Sequence, residues 1–330
     1  MRGMTLSRTR MDPGADSGPA PARARPLPVI DVSGLSSPDL TCRRHVAALI
    51  RQACEDRGFF YITGHGVPDD LIADVLAGAR ALFELPDDAK QAVHKANSPA
   101  NRGYEPLGGQ TLEPGAPPDL KEGFYIGADA APGRFNTGAN QWPAELPWLE
   151  PVMLAYHRAL TALAERLMSG IALSLDMPED AFAGFGHDPI AILRLLHYPV
   201  QPPLALGKGA GAHTDFGALT ILLQDRVGGL EVYDQAAQDW TPAPPVAGTY
   251  VVNLGDMIAR WTNDRYRSTP HRVVNRSGRR RYSVPFFFSG SPDYVIDCLP
   301  ACLAPGEAAK YPPTTVEAHM KERYRQTYGA

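Results

Sequence analysis

Two histidines and one aspartate have the residue types and the spacing of a divalent-metal site. His213 and Asp215 lie two residues apart, and on a β-strand such residues point to the same face. His271 follows about 55 residues later, after enough β-rich sequence to return the chain across a double-stranded barrel. Two imidazoles and one carboxylate on one side of a metal leave three coordination positions open, as iron(II) requires when it binds an oxidisable ligand together with dioxygen. The three residues therefore predict a facial iron(II) site.

A cationic site follows the second histidine. In Arg281-Tyr282-Ser283, strand alternation places Arg281, Ser283, Pro285 and Phe287 on one face, so a guanidinium and a hydroxyl can converge on one carboxylate. Arginine forms a bidentate fork with a carboxylate and keeps its charge at any physiological pH. An arginine paired with an internal acid would look the same in sequence, but its place after the His271 strand favours an anion-binding role.

An isolated histidine-x-aspartate pattern is typical of ordinary surface or core residues. Here the pattern is accompanied by His271, by the Arg281 site and by a β-rich context. The combination favours a metal centre over the structural interpretation.

The composition describes a soluble globular chain that acts on small molecules. Of its 330 residues, 44% are hydrophobic and 21% are charged, which is enough apolar material for a substantial core. The formal net charge is -4, and no long run of either sign indicates nucleic acid or anionic lipid as a partner. A small-molecule substrate is therefore expected, with no nucleic-acid and no membrane partner.

The cysteines and the N-terminus indicate a cytoplasmic protein with a disordered leader. Residues 1–27 are rich in Pro, Gly, Ala and Arg and lack apolar periodicity, so we expect them to lie outside the fold. Cys42, Cys54, Cys298 and Cys302 occur without a leading apolar segment or a membrane-length one, which favours a reducing cytoplasm and idle thiols.

Residues 28–180 are predicted to form a region of helices and strands that packs on a barrel. Loss of periodicity over residues 97–147 indicates a long loop containing a short strand. His157 lies on the apolar face of the longest helix and is interpreted as a core or boundary residue. The predicted elements are a strand at Leu27–Asp31, a helix opening at Ser37 with Pro38 as its first helical residue, a strand at Phe59–Ile62, helices opening at Val67 and Pro86, a strand around Phe124–Ile126 and a helix over Trp148–Met177.

The sequence pattern of residues 181–330 is typical of a β-barrel. Short apolar runs alternate with turn signals at the spacing expected for a sandwich or barrel, and a closing helix is predicted over Val316–Tyr328. The fold expected for the chain is mostly β with flanking helices, around a jelly-roll (double-stranded β-helix, cupin-like) core. The predicted strands are Ile190–Tyr198, Ala218–Leu223, Leu230–Tyr233, Thr249–Leu254, Ile258–Thr262, Arg272–Asn275, Arg281–Phe288 and Tyr294–Cys298.

From about Leu27 to the final helix, the chain resembles the isopenicillin N synthase-like branch of the 2-oxoglutarate and iron(II)-dependent dioxygenases. The motifs that carry the resemblance are Leu27-Pro28-Val29-Ile30-Asp31, Gly58-Phe59-Phe60-Tyr61-Ile62-Thr63-Gly64-His65-Gly66-Val67-Pro68, Lys121-Glu122-Gly123-Phe124, Tyr198-Pro199, His213-Thr214-Asp215, Asn253-Leu254-Gly255-Asp256, Ser268-Thr269-Pro270-His271-Arg272-Val273 and Arg281-Tyr282-Ser283. Together these motifs are highly specific.

The resemblance implies a role for each motif residue. It implies a jelly roll wrapped by N-terminal helices, with iron(II) held by the two histidines and Asp215. It also implies that Arg281 and Ser283 hold the distal carboxylate of 2-oxoglutarate and that Tyr198 adds a hydrogen bond. Plant members often carry Asn two residues before that tyrosine, whereas this chain has Leu196.

The activity implied by the resemblance consumes 2-oxoglutarate and dioxygen and releases succinate and carbon dioxide. A C–H bond of a small molecule, such as a secondary metabolite, is oxidised by hydroxylation, or by desaturation, cyclisation or epoxidation. The aromatic residues Tyr104, Phe124, Tyr125 and Phe287 are candidates for the substrate pocket, although ordinary packing is the commoner explanation for each of them.

Two other functions agree with the same residues. An oxidase resembling isopenicillin N synthase would use an equivalent Arg-x-Ser to hold its substrate and would take no 2-oxo acid. A jelly roll without metal could serve as a binding module, although the intact triad argues against it. His65, Asn253 and Asp256 are interpreted as structural, because Asn and Asp satisfy local backbone groups in turns.

Overall fold

The computed structural model describes residues 25–128, 133–200 and 208–328. The helices in this part of the chain are α1 (Leu40–Asp56), α2 (Asp69–Phe83), α3 (Asp87–Ala92), α4 (Leu149–Ser174), α5 (Asp256–Trp261) and α6 (Val316–Tyr328). The strands are β1 (Val29–Asp31), β2 (Phe59–Thr63), β3 (Gly103–Glu105), β4 (Glu122–Gly127), β5 (Ile190–Tyr198), β6 (Ala210–His213), β7 (Leu219–Gln224), β8 (Leu230–Asp234), β9 (Asp239–Pro242), β10 (Tyr250–Leu254), β11 (His271–Val273), β12 (Arg281–Gly290), β13 (Val295–Ile296) and β14 (Thr314–Thr315).

The strands form two main sheets. An eight-stranded sheet has the order β1-β2-β10-β7-β12-β5-β4-β3, and a four-stranded sheet has the order β6-β11-β8-β9. Neighbours in each sheet are antiparallel except for β1 and β2, which are parallel. The strands of the smaller sheet all come from the second half of the chain, as in a jelly roll whose strands cross between two layers.

Each face of the larger sheet is buried against a different partner. Between the two sheets lies an apolar cluster that includes Phe59, Leu196, Val232, Val251 and Val273. The opposite face packs against α1, α2 and α4 in a much larger core. Alternation along the strands sends successive side chains to these two cores, so one strand can carry site residues on one face and packing residues on the other.

The predicted fold class is confirmed: the chain is mostly β, with helices flanking a double-stranded β-helix core. Strands from residues 28–180 join the same sheet as those from residues 181–330, since β2 pairs with β10 and β4 pairs with β5. The larger sheet therefore contains strands from both sides of the predicted boundary near residue 180.

The strand predicted at Ile258–Thr262 is wrong, because this segment belongs to the helix α5. Met257, Ile258 and Trp261 are buried together, and their spacing matches one face of a helix. A short apolar run fits a buried strand or a buried helix equally well in sequence, and here the turn at Gly255 starts a helix.

The predicted start of α1 is wrong by two residues. Pro38 precedes the helix, which begins at Leu40, and Asp39 is the N-cap. The Asp39 carboxylate accepts a hydrogen bond from the Thr41 amide at 2.8 Å, so it satisfies one of the amides that the first turn leaves without a partner.

The predicted leader, residues 1–27, falls mostly outside the described residues, which begin at Arg25. Its last residues belong to the fold. The Arg57 guanidinium donates a hydrogen bond to the main-chain carbonyl of Pro26 at 2.9 Å, and the Leu27 side chain is buried between the sheets. The prediction that the leader runs to residue 27 therefore extends slightly too far.

The turn between β10 and α5 passes very close to the segment after β6. A Cβ built on Gly255 would lie 2.3 Å from the Gly217 carbonyl oxygen and 2.7 Å from the Asp215 carbonyl oxygen. The Asp256 amide donates a hydrogen bond to that same Asp215 carbonyl at 2.8 Å. Only glycine permits this approach without displacing the backbone that carries Asp215.

We predict that Gly255→Ala destabilises the protein by about 1–3 kcal/mol, because the added methyl group overlaps two carbonyl oxygens. Gly184→Ala is the matched control, since its nearest heavy atom would be a Tyr294 ring carbon at an ordinary 3.4 Å. Urea unfolding of both variants measures the difference. Equal stability of the two variants would show that the close approach at Gly255 does not constrain the fold.

Candidate active site

The paired strands β6 and β11 bring two histidines together. His213 and His271 are direct partners in the antiparallel register, and their ring centroids are 4.3 Å apart. The Oδ1 atom of Asp215 lies 3.9 Å from His213 Nε2 and 3.8 Å from His271 Nε2. The three ligand atoms all lie within 4.8 Å of one another, so one ion can touch all of them.

Asp215 reaches this position from a turn, which differs from the strand geometry expected from sequence. Strand β6 ends at His213, and the following residues leave the sheet. The Asp215 carboxylate is brought back because the turn is held by main-chain hydrogen bonds from Gly255 to the Ala218 carbonyl and from Asp256 to the Asp215 carbonyl. The structure brings the side chains of His213 and Asp215 together, although Asp215 lies beyond the end of β6 and the expected strand alternation does not apply to it.

Main-chain carbonyls select the tautomer of both imidazoles. His213 Nδ1 lies 2.8 Å from the Gly211 carbonyl oxygen, and His271 Nδ1 lies 3.2 Å from the Thr269 carbonyl oxygen. Because a carbonyl oxygen can only accept, each Nδ1 carries the proton and donates. Each Nε2 therefore keeps its lone pair and faces Asp215, which is the arrangement that a metal ligand needs.

The Asp215 carboxylate is oriented by two donors on one of its oxygens. Thr220 Oγ1 donates to Oδ2 at 2.6 Å, and Asn253 Nδ2 donates to the same Oδ2 at 2.7 Å. Oδ1 is the oxygen that faces the two imidazoles. The sequence interpretation of Asn253 as only a turn-former was therefore wrong, because its amide points at the carboxylate of the metal triad.

The electrostatics of the triad favour the protonation states that bind metal. Burial in the cavity, together with repulsion from His271, lowers the pKa of His213 to about 3. Burial alone would raise the pKa of Asp215, but the two imidazoles and the hydrogen bonds from Asn253 and Thr220 outweigh it and lower that pKa. Near neutral pH, His213 is neutral and Asp215 is ionised, so neither has to lose a proton when a cation binds.

The donor set fits iron(II). Two imidazole nitrogens and one carboxylate oxygen on one side of an ion form the 2-His-1-carboxylate facial triad of non-haem iron(II) oxygenases. The buried Phe59 ring packs edge-on against His271 at 5.2 Å between ring centroids, so this ligand is held from behind by the core between the sheets.

Arg281 lies in the same cavity as the triad. Its side chain is fully buried. Its Nη1 donates to Ser283 Oγ at 3.1 Å, its Nη2 donates to Gln224 Oε1 at 3.0 Å, and its guanidinium lies over the Tyr198 ring at 4.7 Å. The predicted alternation is seen, since Arg281, Ser283, Pro285 and Phe287 all line this cavity.

Among the described residues, no carboxylate forms an ion pair with the Arg281 guanidinium, and its buried Nε makes no hydrogen bond. An internal acid was the structural alternative for this arginine, and the described part of the chain does not provide one. A buried guanidinium without a counter-ion is costly, and an anionic ligand removes that cost. The cavity between Arg281 and the triad therefore suits an anion that also reaches the metal.

Lys121 is a second buried cation on the wall of this cavity, and sequence reasoning gave it no role. It forms an ion pair with Asp119, whose Oδ1 accepts a hydrogen bond from the Gly211 amide at 2.9 Å. Burial lowers the pKa of Lys121 to about 8, against the opposing effect of Asp119. The motif Lys121-Glu122-Gly123-Phe124 was the signal that could have identified it.

A wider cavity opens on the solvent side of the triad. Its volume is about 90 Å³. Of the four aromatic residues selected from sequence, Tyr125 and Phe287 line it. Residues of this wall that sequence reasoning missed are Gln110, Leu112, Ile192, Arg194, Phe216, Met320 and Tyr324.

The other two, Tyr104 and Phe124, are not part of the wall of this cavity. They are direct partners in the β3–β4 register and face away from Tyr125. The Tyr104 hydroxyl donates to Glu122 Oε2 at 2.6 Å, and Phe124 is fully buried in the helix-side core. Alternation along the strand predicted around Phe124–Ile126 sends Phe124 and Tyr125 to opposite faces, so only one of the two can face the cavity.

The final helix closes one side of the cavity. Met320 and Tyr324 of α6 contribute to the wall. Arg323 pairs with Asp256 at 2.7 Å and lies over the Phe216 ring at 5.0 Å, so the helix is tied to the turn that carries Asp215. Asp256, interpreted as a turn-former, is thus also the attachment point of α6.

Two other histidines are structural, as interpreted from sequence. His65 Nδ1 accepts a hydrogen bond from the Val67 amide at 3.1 Å. His157 is buried in α4, with its Nε2 3.0 Å from the Ala191 carbonyl oxygen. In the described part of the chain, the metal-ligating cluster consists of His213, Asp215 and His271.

Comparisons with known proteins identify the family. A model described as the N-terminal region of non-haem dioxygenase in morphine synthesis matches residues 27–145, and the 2OG-Fe(II) oxygenase superfamily model matches residues 189–290. The 2-oxoglutarate-Fe(II) type oxidoreductase hxnY of Emericella nidulans is 45% identical over 315 residues, covering 92% of this chain and 90% of that protein. The chain therefore belongs to the 2-oxoglutarate and iron(II)-dependent oxygenase superfamily.

Solved structures give the same result. A full-length Neurospora crassa protein, in complex with alpha-KG and thymine, superposes with a TM-score of 0.82 at 30% identity, covering 91% of this chain and 96% of that one. JOX2, in complex with 2OG, Fe and JA, gives a TM-score of 0.76 at 30% identity, covering 93% and 87%. The predicted enzyme class, a dioxygenase that uses iron(II) and 2-oxoglutarate, is confirmed.

No helix within the described ranges has both the length and the apolar content needed to span a lipid bilayer.

We predict that Thr220→Val weakens divalent-metal binding about 10- to 100-fold, because it removes one of the two donors that orient the Asp215 carboxylate. The matched control is Thr262→Val, also buried, whose hydroxyl donates to the Ile258 carbonyl within α5. Anaerobic titration with Mn(II) measures both affinities. Loss of affinity in both variants, or in neither, would contradict the orienting role of Thr220.

Proposed function

We propose that His213, Asp215 and His271 hold iron(II), and that Arg281, Ser283 and Tyr198 hold the distal carboxylate of 2-oxoglutarate. The observation that carries the proposal is the fully buried Arg281 guanidinium, which has no carboxylate partner among the described residues and shares a cavity with the triad. A dicarboxylate fits this arrangement because one end can neutralise the guanidinium while the 2-oxo acid end reaches the metal ligands.

When bound, iron(II) and 2-oxoglutarate supply the redox chemistry, in which dioxygen oxidises the 2-oxo acid to succinate and carbon dioxide and a substrate C–H bond is oxidised. The residues of the chain bind, orient and exclude water. Thr220 and Asn253 donate hydrogen bonds to one oxygen of Asp215. Gln224 and Ser283 accept hydrogen bonds from Arg281 and fix the plane of its guanidinium. The apolar side chain of Phe287 lines the same cavity and shields the triad from water.

We further propose that the chain belongs to the isopenicillin N synthase-like branch and hydroxylates a small molecule. Arg281-x-Ser283 on one strand and Tyr198 opposite Arg281 in the register of β5 and β12 support this branch. Desaturation, cyclisation or epoxidation would follow from a different substrate position in the same cavity. The cytoplasmic location stays a prediction from the cysteine content.

Oxygen consumption and succinate release test the proposal directly. The iron-loaded protein should release succinate from 2-oxoglutarate in a dioxygen-dependent reaction, and the correct substrate should accelerate it. Dioxygen consumption without succinate release, across a panel of candidate metabolites, would instead indicate the oxidase activity of isopenicillin N synthase. Failure to bind Mn(II) or Co(II) under anaerobic conditions would indicate a metal-free binding module.

We predict that His213→Ala and His271→Ala each abolish succinate release, because each removes one of the three proposed ligands. Circular dichroism of the variants checks that the fold persists. Succinate release at the wild-type rate by either variant would exclude that histidine as a ligand.

We predict that Arg281→Lys raises the apparent KM for 2-oxoglutarate about 10- to 100-fold, because the charge survives while the bidentate fork is lost. The matched control is Arg280→Lys, one residue earlier, where the side chain is exposed and its nearest acid is Glu84 at 3.8 Å. Steady-state succinate assays at varied 2-oxoglutarate measure both variants. An unchanged KM in Arg281→Lys would exclude Arg281 as the co-substrate anchor.

A further inference from the structure

A buried lysine shares the inner cavity, the one that holds Arg281, with the metal triad. We propose that Lys121 is a second anchor for the co-substrate: its ammonium donates hydrogen bonds to the carboxylate at the metal end of a dicarboxylate while Arg281 holds the distal one. The cavity thereby selects a dianion by both of its ends. This inference rests on the proposed function, because it takes the triad and Arg281 as the sites of the metal and of the co-substrate.

Lys121 lies across one strand from Arg281. It immediately precedes β4, whose first residue, Glu122, pairs with His197 of β5. The next residue of β5 is Tyr198, the register partner of Arg281 in β12. Two strand spacings, about 10 Å, therefore separate the backbones of the two cations. Both side chains line the inner cavity, so they can contact opposite ends of one short chain.

Hydrogen bonds place the Lys121 ammonium at the metal end of this cavity. The ammonium pairs with one oxygen of Asp119, and the other oxygen accepts a hydrogen bond from the Gly211 amide at 2.9 Å. The Gly211 carbonyl oxygen in turn lies 2.8 Å from Nδ1 of His213. Burial and His271 are the main causes of the low pKa of His213, and the positive charge of Lys121 adds to them. A carboxylate bound beside the triad would therefore have this ammonium as a neighbour.

The Lys121 ammonium has hydrogen-bonding capacity that the protein does not use. A protonated lysine carries three N–H donors, and within the described residues the acceptor for this one is Asp119. The side chain is only 2% exposed, so the other donors are shielded from bulk solvent. Buried donors without acceptors are costly, and a carboxylate oxygen in the cavity removes that cost. Asp119 balances the charge, so the ammonium offers a ligand donors rather than a surplus of charge.

Asp119 also fixes the direction of the ammonium. Both of its carboxylate oxygens are used, one by Lys121 and one by the Gly211 amide. A long side chain that is ordered before binding loses little conformational entropy when the ligand arrives. Burial lowers the pKa of Lys121 to about 8, so most of the protein carries the ammonium at neutral pH. Unlike an arginine fork, an ammonium can donate in several directions and does not require a coplanar carboxylate.

The side chains beside Lys121 on this wall do not compete for the same carboxylate. Gly123, two residues further along the chain, and its register partner Leu196 carry no polar side chain. Thr220 and Asn253 line the cavity as well, but both donate to the carboxylate of the triad. Lys121 is therefore well placed to meet a carboxylate beside the metal.

Glutarate and glutaramate are a matched pair of probes, because they have the same length and differ in one terminal carboxylate. Neither has a keto group, so neither can chelate the metal as a 2-oxo acid does. We expect the anaerobic protein loaded with Mn(II) to bind glutarate at least tenfold more tightly than glutaramate in isothermal titration calorimetry. Equal affinity for the two probes, or binding of neither, would overturn the assignment of a second anchor.

Lys121→Met should weaken glutarate binding about 10- to 100-fold, because a side chain of similar length replaces the ammonium donors. Glutaramate binding should change less than threefold, so the preference for glutarate largely disappears. If the preference survives in Lys121→Met, the metal recognises the second carboxylate and the assignment to Lys121 is wrong. Lys90→Met is the matched control and should match wild type, since Lys90 is also buried and paired with Glu122 but lies in α3, away from the cavity wall.

A second variant guards against misfolding. Lys121→Met leaves the buried Asp119 carboxylate with the Gly211 amide alone, which costs stability. The double variant Asp119→Asn with Lys121→Met removes both charges, and its Asn oxygen can still accept from Gly211. Circular dichroism and the Mn(II) affinity check that the fold and the triad persist. The double variant should lose the preference for glutarate as the single one does, and a wild-type preference in it would exclude Lys121 as an anchor.

The outcomes separate this inference from the proposed function. If wild type binds neither Mn(II) nor 2-oxoglutarate, the proposed function itself fails. If wild type binds both, and Lys121→Met binds glutarate as tightly as wild type does, only the second anchor is wrong. If Arg281→Lys weakens both probes while Lys121→Met weakens glutarate alone, both anchors stand.

Discussion

The site depends on one constraint: a single carboxylate must present one oxygen to two imidazoles while its other oxygen is occupied. Thr220 and Asn253 occupy Oδ2 of Asp215, so Oδ1 faces His213 and His271. The donors come from β7 and β10, and the histidines from β6 and β11, so both sheets contribute to one coordination site. The jelly roll brings these four strands together, and the glycine turn at Gly255 leaves room for the Asp215 backbone.

Alternation of side chains along the strands organises the rest of the cavity. Alternation along β5 places Ile192, Arg194, Leu196 and Tyr198 toward the cavity, while Leu193 and Leu195 pack in the helix-side core. Strand β12 does the same with Arg281, Ser283 and Phe287. Two cations therefore stand at different depths on neighbouring strands, with the metal ligands lining the cavity beside both.

Local patterns in the sequence were sufficient to predict the fold class and to select the three residues that the structure brings together as a His-Asp-His cluster, because each depends on spacing within a strand or on a motif. The residues that were missed depend on pairing between distant strands. Thr220 and Gln224 acquire their roles through the placement of β7 beside β10 and β12, and no sequence spacing encodes that placement. Ile258–Thr262 was assigned to a strand because five residues are too few to distinguish the two periodicities.

The attachment of the last helix has a consequence for how the site is assembled and varied. Every residue of the metal triad precedes α6 in the chain, yet Met320 and Tyr324 of α6 supply part of the cavity wall. The helix is joined to the triad region by the ion pair between Arg323 and Asp256 and by the contact of His319 Nε2 with the Phe216 carbonyl oxygen at 2.8 Å. During synthesis, all three residues of the metal triad are therefore made before the α6 residues that complete the cavity wall. Changes in α6 can therefore alter the shape of the cavity without replacing any residue of the metal triad.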